Sequence, residues 1–212
     1  MRYYISDLHF FHGEMNEKMD KRGFESTEAM NEYMIAQWNS RVKKKDEVII
    51  IGDFSFGKAP ETNEVMKRLQ GRKALIIGNH DHFLGDRESD RTLFEWIEHY
   101  RVMSDNSRHV ILSHYPILCY ENQYRQTKNG DPKASMLYGH VHDTFDEEII
   151  NNTVKYVRSC KRPLLGYDEP QSINCNLINT FCKFSDYIPL SLDEWIENDT
   201  YADKYPKKVE IY

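Results

Sequence analysis

The chain is poor in cysteine. Its 212 residues hold four, Cys119, Cys160, Cys175 and Cys182, with no C-x-x-C pair and no zinc-knuckle spacing. That argues against a thiolate metal frame and against a disulfide scaffold, and the expectation is reduced thiols in a cytoplasmic protein. No apolar run approaches the length of a membrane span, so no membrane partner is expected. The first residues enter an apolar strand at once, with no basic stretch leading into an apolar one, so no secretory leader is expected. Positive charge is not in excess either: 28 basic against 34 acidic side chains leave a formal net charge of −6. A protein that holds nucleic acid on a general basic surface leans the other way, which makes nucleic acid an unexpected partner. Bound metal ions would still add local positive charge that a residue count omits. Internal repeats, low-complexity tracts and linker-like shifts in composition are also missing. Residues 1–212 are therefore expected to form one domain, long enough to bury a core without staples.

What the chain does have is one short sentence written five times: an apolar strand, a Gly or Ser, then Asp, Asn or His. "YYISDLHF" brings Asp7 and His9, and "VIIIGDFSFG" brings Asp53. "LIIGNHDHF" brings Asn79, His80, Asp81 and His82, "HVILSHYP" brings His114, and "SMLYGHVHD" brings His140 and His142. A single such place reads as a polar turn. Five with the same choice of side chains do not.

The spacing between these blocks predicts strands over 2–5, 47–51, 73–77, 109–113 and 135–138. It predicts a helix over 26–42, capped by Ser26 or Thr27 and striped by Met30, Tyr33, Met34, Trp38 and Val42. A second helix is expected in "PETNEVMKRLQG", with Pro60 early and Gly71 as its stop, and a third in "RTLFEWIEHY". Residues 119–133 and 161–171 read as loop, 143–160 as an amphipathic helix and "SINCNLIN" as a strand. "SLDEWIEN" reads as a short helix opened by a capping box from Ser191 to Glu194. Strands alternating with helices argue for an α/β layer fold. In such folds the site lies beyond the carboxyl ends of the strands. Every polar cluster stands at one of those ends, so all five should meet in one cleft.

Asp, His and Asn without Cys suit a divalent transition metal of middling hardness; Mn²⁺ is the first expectation, with Fe, Zn²⁺ or Ni²⁺ allowed. Seven candidate ligands are too many for one ion that keeps positions open for water and substrate. Two ions sharing a bridging carboxylate would use them, and such pairs, about 3.5–4 Å apart, serve in-line attack on phosphorus. His80 is then left over. A histidine beside the ions can protonate a leaving oxygen, and Asp81 next to it is the expected partner that orients the ring. His12 and Arg22 are further candidates for holding substrate. Their bland readings are a surface histidine and a solvated arginine.

The ordered set "DLH", "GDFSFG", "GNHD", "SH" and "GHVH", spanning residues 7 to 142, resembles the calcineurin-like metallophosphoesterases, and in particular the small bacterial or phage type. The resemblance implies a four-layer αββα sandwich of two mixed sheets flanked by helices. It implies one metal on Asp7, His9, Asp53 and His142 and a second on Asp53, Asn79, His114 and His140. Asp53 and a hydroxide would bridge them, and His80 would be the acid. Residues 143–171 depart from compact members and are expected as a lid or insert. The function implied is hydrolysis of a small phosphodiester or nucleotide. The alternatives are a phosphomonoesterase, including a phosphoprotein phosphatase, or a non-catalytic scaffold on the same fold. A scaffold would be expected to have lost the acid or some ligands, and none is missing here.

Overall fold

The computed structural model describes residues 1–127, 131–163 and 165–204. Its strands are β1 (Arg2–Ile5), β2 (Glu47–Ile51), β3 (Arg72–Ile76), β4 (Ile97–Glu98), β5 (Tyr100–Asp105), β6 (Arg108–Ser113), β7 (Ala134–Tyr138), β8 (Lys161–Arg162), β9 (Gln171–Ser172) and β10 (Leu177–Asn179). Its α-helices are α1 (Thr27–Arg41), α2 (Ala59–Arg68), α3 (Phe145–Ser159) and α4 (Leu192–Lys204). Among the described residues, no helix is long and apolar enough to cross a membrane.

Two four-stranded sheets form the centre, in the orders β1-β2-β3-β4 and β10-β7-β6-β5. The first is parallel throughout, and the second carries one antiparallel pair, β5 with β6. The period-2 alternation of side chains sorts the strands' residues into layers. Tyr4, Ile49, Ile51, Ala74 and Ile76 turn one way and meet Val110, Leu112, Leu137 and Ile178 of the other sheet, with Trp195 of α4. Ile5, Val48, Ile50 and Leu75 turn the other way onto Met30, Met34 and Trp38 of α1 and Val65 and Met66 of α2. Ile111, Met136, Tyr138 and Leu177 face outward onto Val154 of α3. That is the expected helix–sheet–sheet–helix stack. Val48 to Ile51 are wholly buried because both faces of their sheet are covered. Each such side chain contributes about 1.5–3 kcal/mol of transfer free energy, which explains why that strand reads as a continuous apolar run.

The caps follow the sequence. Ser26 Oγ accepts from Ala29 N–H at 3.1 Å to open α1. Ser191 and Glu194 exchange bonds at the head of α4. Of the expected stripe on α1, Tyr33 alone is exposed, the others being buried.

The expected helix in "RTLFEWIEHY" is not there. A single 3₁₀ turn, Arg91–Leu93, leads into β4 and β5. The edge of β3 is what decides: Leu75 N–H bonds Trp96 O at 3.1 Å and Ile77 N–H bonds Glu98 O at 2.8 Å. The segment's apolar residues also part to two faces, Phe94 and Ile97 to the helix side and Trp96 to the sheet interface. β5 was not expected either. It is joined to β6 by a tight turn in which Asn106 and Ser107 have φ of 46° and 63°, the left-handed pair that a two-residue hairpin demands.

The 143–171 segment, expected as a lid or insert, is largely α3, which packs Val154 with Ile150 and Val157 on the outer face of the second sheet. The 161–171 loop carries the short antiparallel pair β8–β9 at its ends. Part of the loop over 119–133 lies outside the described residues.

Candidate metal centre

The loops after β1, β2, β3, β6 and β7 meet at the carboxyl ends of the strands. The first two are laced together: Asp7 N–H bonds Gly52 O at 3.1 Å and His9 N–H bonds Asp53 O at 3.0 Å. Two trios result, Asp7, His9 and His142 in one and Asp53, His114 and His140 in the other, each with donor atoms within 4.8 Å of one another. Asn79 joins the second, its Oδ1 at 3.0 Å from His114 Nε2. All seven residues singled out as ligands are thus brought to one place.

The backbone pays for this convergence. Asp7, His9, Asp53, His140 and His142 have φ of 57°, 51°, 52°, 71° and 51°. For residues with a Cβ this left-handed region costs about 1–3 kcal/mol each. The glycines that precede three of the clusters have a steric reason. A Cβ on Gly78 would fall 2.2 Å from Asp53 Oδ1, one on Gly139 2.3 Å from Asp7 Oδ2, and one on Gly52 2.1 Å from His114 Nδ1. At these three positions the ligand side chain fills the space that a side chain on the glycine would need.

Around the donors lies a layer that aims them. His142 Nδ1 is held by Asp20 Oδ1 at 2.7 Å and His114 Nδ1 by Ile51 O at 3.0 Å. Each bond leaves the ring's Nε2 facing the cluster. His142 also stacks on Phe181, with ring centroids 4.6 Å apart. Asp7 Oδ1 accepts His140 N–H at 2.9 Å and Asp53 Oδ1 accepts His80 N–H at 2.8 Å, so each carboxylate is anchored by one oxygen. Asp7 Oδ2 and His9 Nδ1 are buried without a hydrogen-bond partner.

Electrostatics match a place for cations. Burial pushes the carboxylates of Asp7 and Asp53 up, yet the hydrogen bonds and charges of His142 and His114 outweigh it and both lie below the usual range. Burial likewise pulls His114 and His142 down, but Asp53 and Asp7 for the first, Asp20 and Asp7 for the second, raise each to about 9. His9 is driven well below its ordinary value by burial, with Asp53's charge opposing. Buried carboxylates among imidazoles draw in positive charge, here protons.

Asp81 and Arg22 take other roles than those expected. Asp81 does not hold the His80 ring. Its Oδ2 accepts the N–H groups of Asp53 at 3.0 Å and Gly78 at 2.8 Å, and its Oδ1 that of Phe54 at 2.7 Å. Its carboxylate spends its acceptors on three backbone donors and ties the Asp53 loop to the Asn79 loop. Burial and the Asp53 charge raise it to about 6. Arg22 is sealed from solvent and gives its N–H groups to Asp20, to Leu8 O at 2.7 Å and to Asp7 O at 3.0 Å. It braces the first ligand loop and has no face for a phosphate. His12 does lie at the site, 5.6 Å from the His9 ring and 6.4 Å from the His80 ring. His80 stands 5.5 Å from the His9 ring. Asp20 is the functional residue that sequence reasoning missed. Nothing local marks this acid, because the ring its side chain aims, His142, lies 122 residues away.

The family model of the calcineurin-like phosphoesterase superfamily domain matches residues 3–159. The chain belongs to that superfamily. The chain is similar to the uncharacterized protein MJ1445 of Methanocaldococcus jannaschii, 34% identical over 142 residues, 66% of this chain and 68% of that protein. The Gene 66 protein of Mycobacterium phage D29 is 28% identical over 168 residues, 71% of this chain and 82% of that one. The phage relative fits the small type expected. The structure of AQ665, a protein of unknown function from Aquifex aeolicus, superposes with a TM-score of 0.55 at 23% identity, over 92% of this chain and 96% of that one. At that identity the likeness is one of fold. A calcineurin-like phosphoesterase is a metal-dependent hydrolase, and the two trios are its candidate metal sites. The residues fit divalent ions: nitrogen and oxygen donors without thiolate, aimed Nε2 atoms, and a buried carboxylate oxygen with nothing else to bind.

Proposed function

We propose that this calcineurin-like phosphoesterase is a dinuclear enzyme that hydrolyses a small phosphodiester or nucleotide. The observation that carries the reading is the place of Asp53. Its Oδ2 lies 3.5 Å from His9 Nε2 and 3.4 Å from His114 Nε2, one imidazole from each trio. A carboxylate oxygen so placed suits a bridge. One ion would be held by Asp7, His9, Asp53 and His142, the other by Asp53, Asn79, His114 and His140. Bound there, two divalent ions supply Lewis acidity toward phosphoryl oxygens and lower the pKa of water.

The chain's own groups do the rest. His80 is held at its backbone by Asp53 Oδ1, and its ring, 5.5 Å from that of His9, would give a proton to the leaving oxygen. His12 Nδ1 accepts Met15 N–H at 3.3 Å, so the neutral ring carries its proton on Nε2 and can donate to a phosphoryl oxygen. None of His12, His80, Asn79 and Tyr115, whose hydroxyl lies 3.5 Å from Asn79 Oδ1, bears a permanent positive charge, and Arg22 is spent on the scaffold. That favours a singly charged diester over a monoester, whose phosphate carries about 1.5 to 2 negative charges at neutral pH.

The test is a metal titration paired with Asp53→Asn. Chelated protein should lose activity toward bis-p-nitrophenyl phosphate and regain it with Mn²⁺. Calorimetry on the variant should show both ions weakened together. Full activity in metal-free protein would refute the dinuclear reading. Two ions at wild-type affinity in the variant would remove Asp53 as the bridge. A higher kcat/KM on p-nitrophenyl phosphate than on the bis-ester would give the monoester the place proposed for the diester.

A further inference from the structure

We infer that Phe56 and Tyr115 are two aromatic walls that stack on the nucleobases of a nucleotide phosphodiester, which names the substrate class for the activity proposed above and rests on it. In the loop after β2, Phe54 is wholly buried in the core while Phe56 is 51% exposed. Phe56 is not loose: its N–H bonds Phe10 O at 2.9 Å, and its ring lies 4.1 Å from that of His12 and 5.8 Å from that of His80. Tyr115 follows His114 directly and is 49% exposed. Its ring lies 4.5 Å from that of His140, on the other trio, and its hydroxyl 3.5 Å from Asn79 Oδ1. The two rings therefore end a row of imidazoles, one beyond each trio.

Large aromatic faces held rigid in water beside a polar cleft keep apolar area hydrated that a flat ligand would cover. Their separation by imidazoles suits two flat groups joined by a polar link, and an acyl chain would instead need one continuous apolar groove. A dinucleotide has that form: base, phosphodiester, base. Because His80 lies on the Phe56 side, the leaving nucleoside belongs on Phe56 and the retained one on Tyr115. Stacking of a base on an aromatic side chain is worth about 5- to 150-fold in affinity.

Thymidylyl-thymidine and its abasic counterpart, which has the same alkoxide leaving group, separate base recognition from chemistry. The manganese-loaded enzyme is assayed on both, and equilibrium binding is measured on versions of each with a non-cleavable methylene in place of the bridging oxygen. The expected result is about 5-fold or greater preference for the base-bearing partner in kcat/KM and in binding. Phe56→Leu and Tyr115→Leu should each pull that ratio toward one, while Phe56→Tyr and Tyr115→Phe should hold it. Cleavage of both diesters with no base preference, or a ratio untouched by the leucine variants, would overturn the walls and leave the diesterase reading standing. Base-dependent binding without cleavage of either diester would keep the walls and overturn the diesterase.

Discussion

Replacing Asp81 by Asn separates its observed place from the role expected beside His80. The carboxylate is 4% exposed and accepts three backbone N–H groups, two on Oδ2 and one on Oδ1. An amide has one acceptor oxygen. Its better orientation keeps the bonds from Asp53 and Gly78 and turns its NH₂ toward the N–H of Phe54. One buried donor is then left facing another, a cost of about 1–3 kcal/mol. The remaining bonds lose the extra strength of an ionised acceptor, but the neutral amide also escapes the burial and the Asp53 repulsion that raise the carboxylate to about 6, so the unpaired donor sets the cost. For a chain of this size each kcal/mol moves Tm by about 2–4 °C, so the variant should melt roughly 2–12 °C lower. The measurement is thermal unfolding in chelator, which removes any metal contribution, alongside kcat on bis-p-nitrophenyl phosphate. Activity should fall with stability, because the released Phe54 N–H adjoins Asp53 in the chain and a displaced Asp53 carries both ends of the site with it. A variant melting within about 1 °C of wild type that loses activity on alkyl esters only would refute this and make Asp81 the partner of His80.

His80→Ala should lower kcat by about 10²–10⁴ on alkyl esters and far less on p-nitrophenyl esters, whose leaving group needs no proton, with metal content unchanged; equal losses would make His80 a positioning residue. Glu147 on α3 is raised to about 7, chiefly by burial, with the hydrogen bonds from Tyr138, Asn179 and Asn151 opposing. The unfolded chain releases this proton near the ordinary glutamate value of 4.5. Folding is therefore favoured by the retained proton below that pH, and the contribution is lost as pH rises toward about 7. Across that window the wild type should lose up to roughly 3 kcal/mol that Glu147→Gln keeps. Urea unfolding at pH 4.5 and pH 7.5 measures it, and parallel losses in both proteins would refute the assignment.

The sequence alone determined which residues form the strands that matter and which side chains stand at their ends. Val48 to Ile51 must be covered on both faces, and a carboxyl-end Asp, Asn or His after such a strand has one place to go. The α/β layering and the gathering of Asp7, His9, Asp53, Asn79, His114, His140 and His142 at the strands' carboxyl ends therefore followed from local pattern, while the four-layer stack followed from the resemblance that the ordered motifs carry. What tertiary structure decided was each choice between partners of equal local merit. Ile97 and Glu98 became strand because β3 had an open edge to pair. Asp81 stands next to His80 in the chain, yet three backbone N–H groups from two loops outcompete one imidazole for its oxygens. Arg22 was drawn under the first ligand loop by two carbonyls and Asp20, and Asp20 was drawn to His142 across 122 residues of chain. A side chain's chemistry is written in its identity, but its hydrogen-bond partner is set by whatever donor or acceptor the packed fold brings within about 3 Å of it.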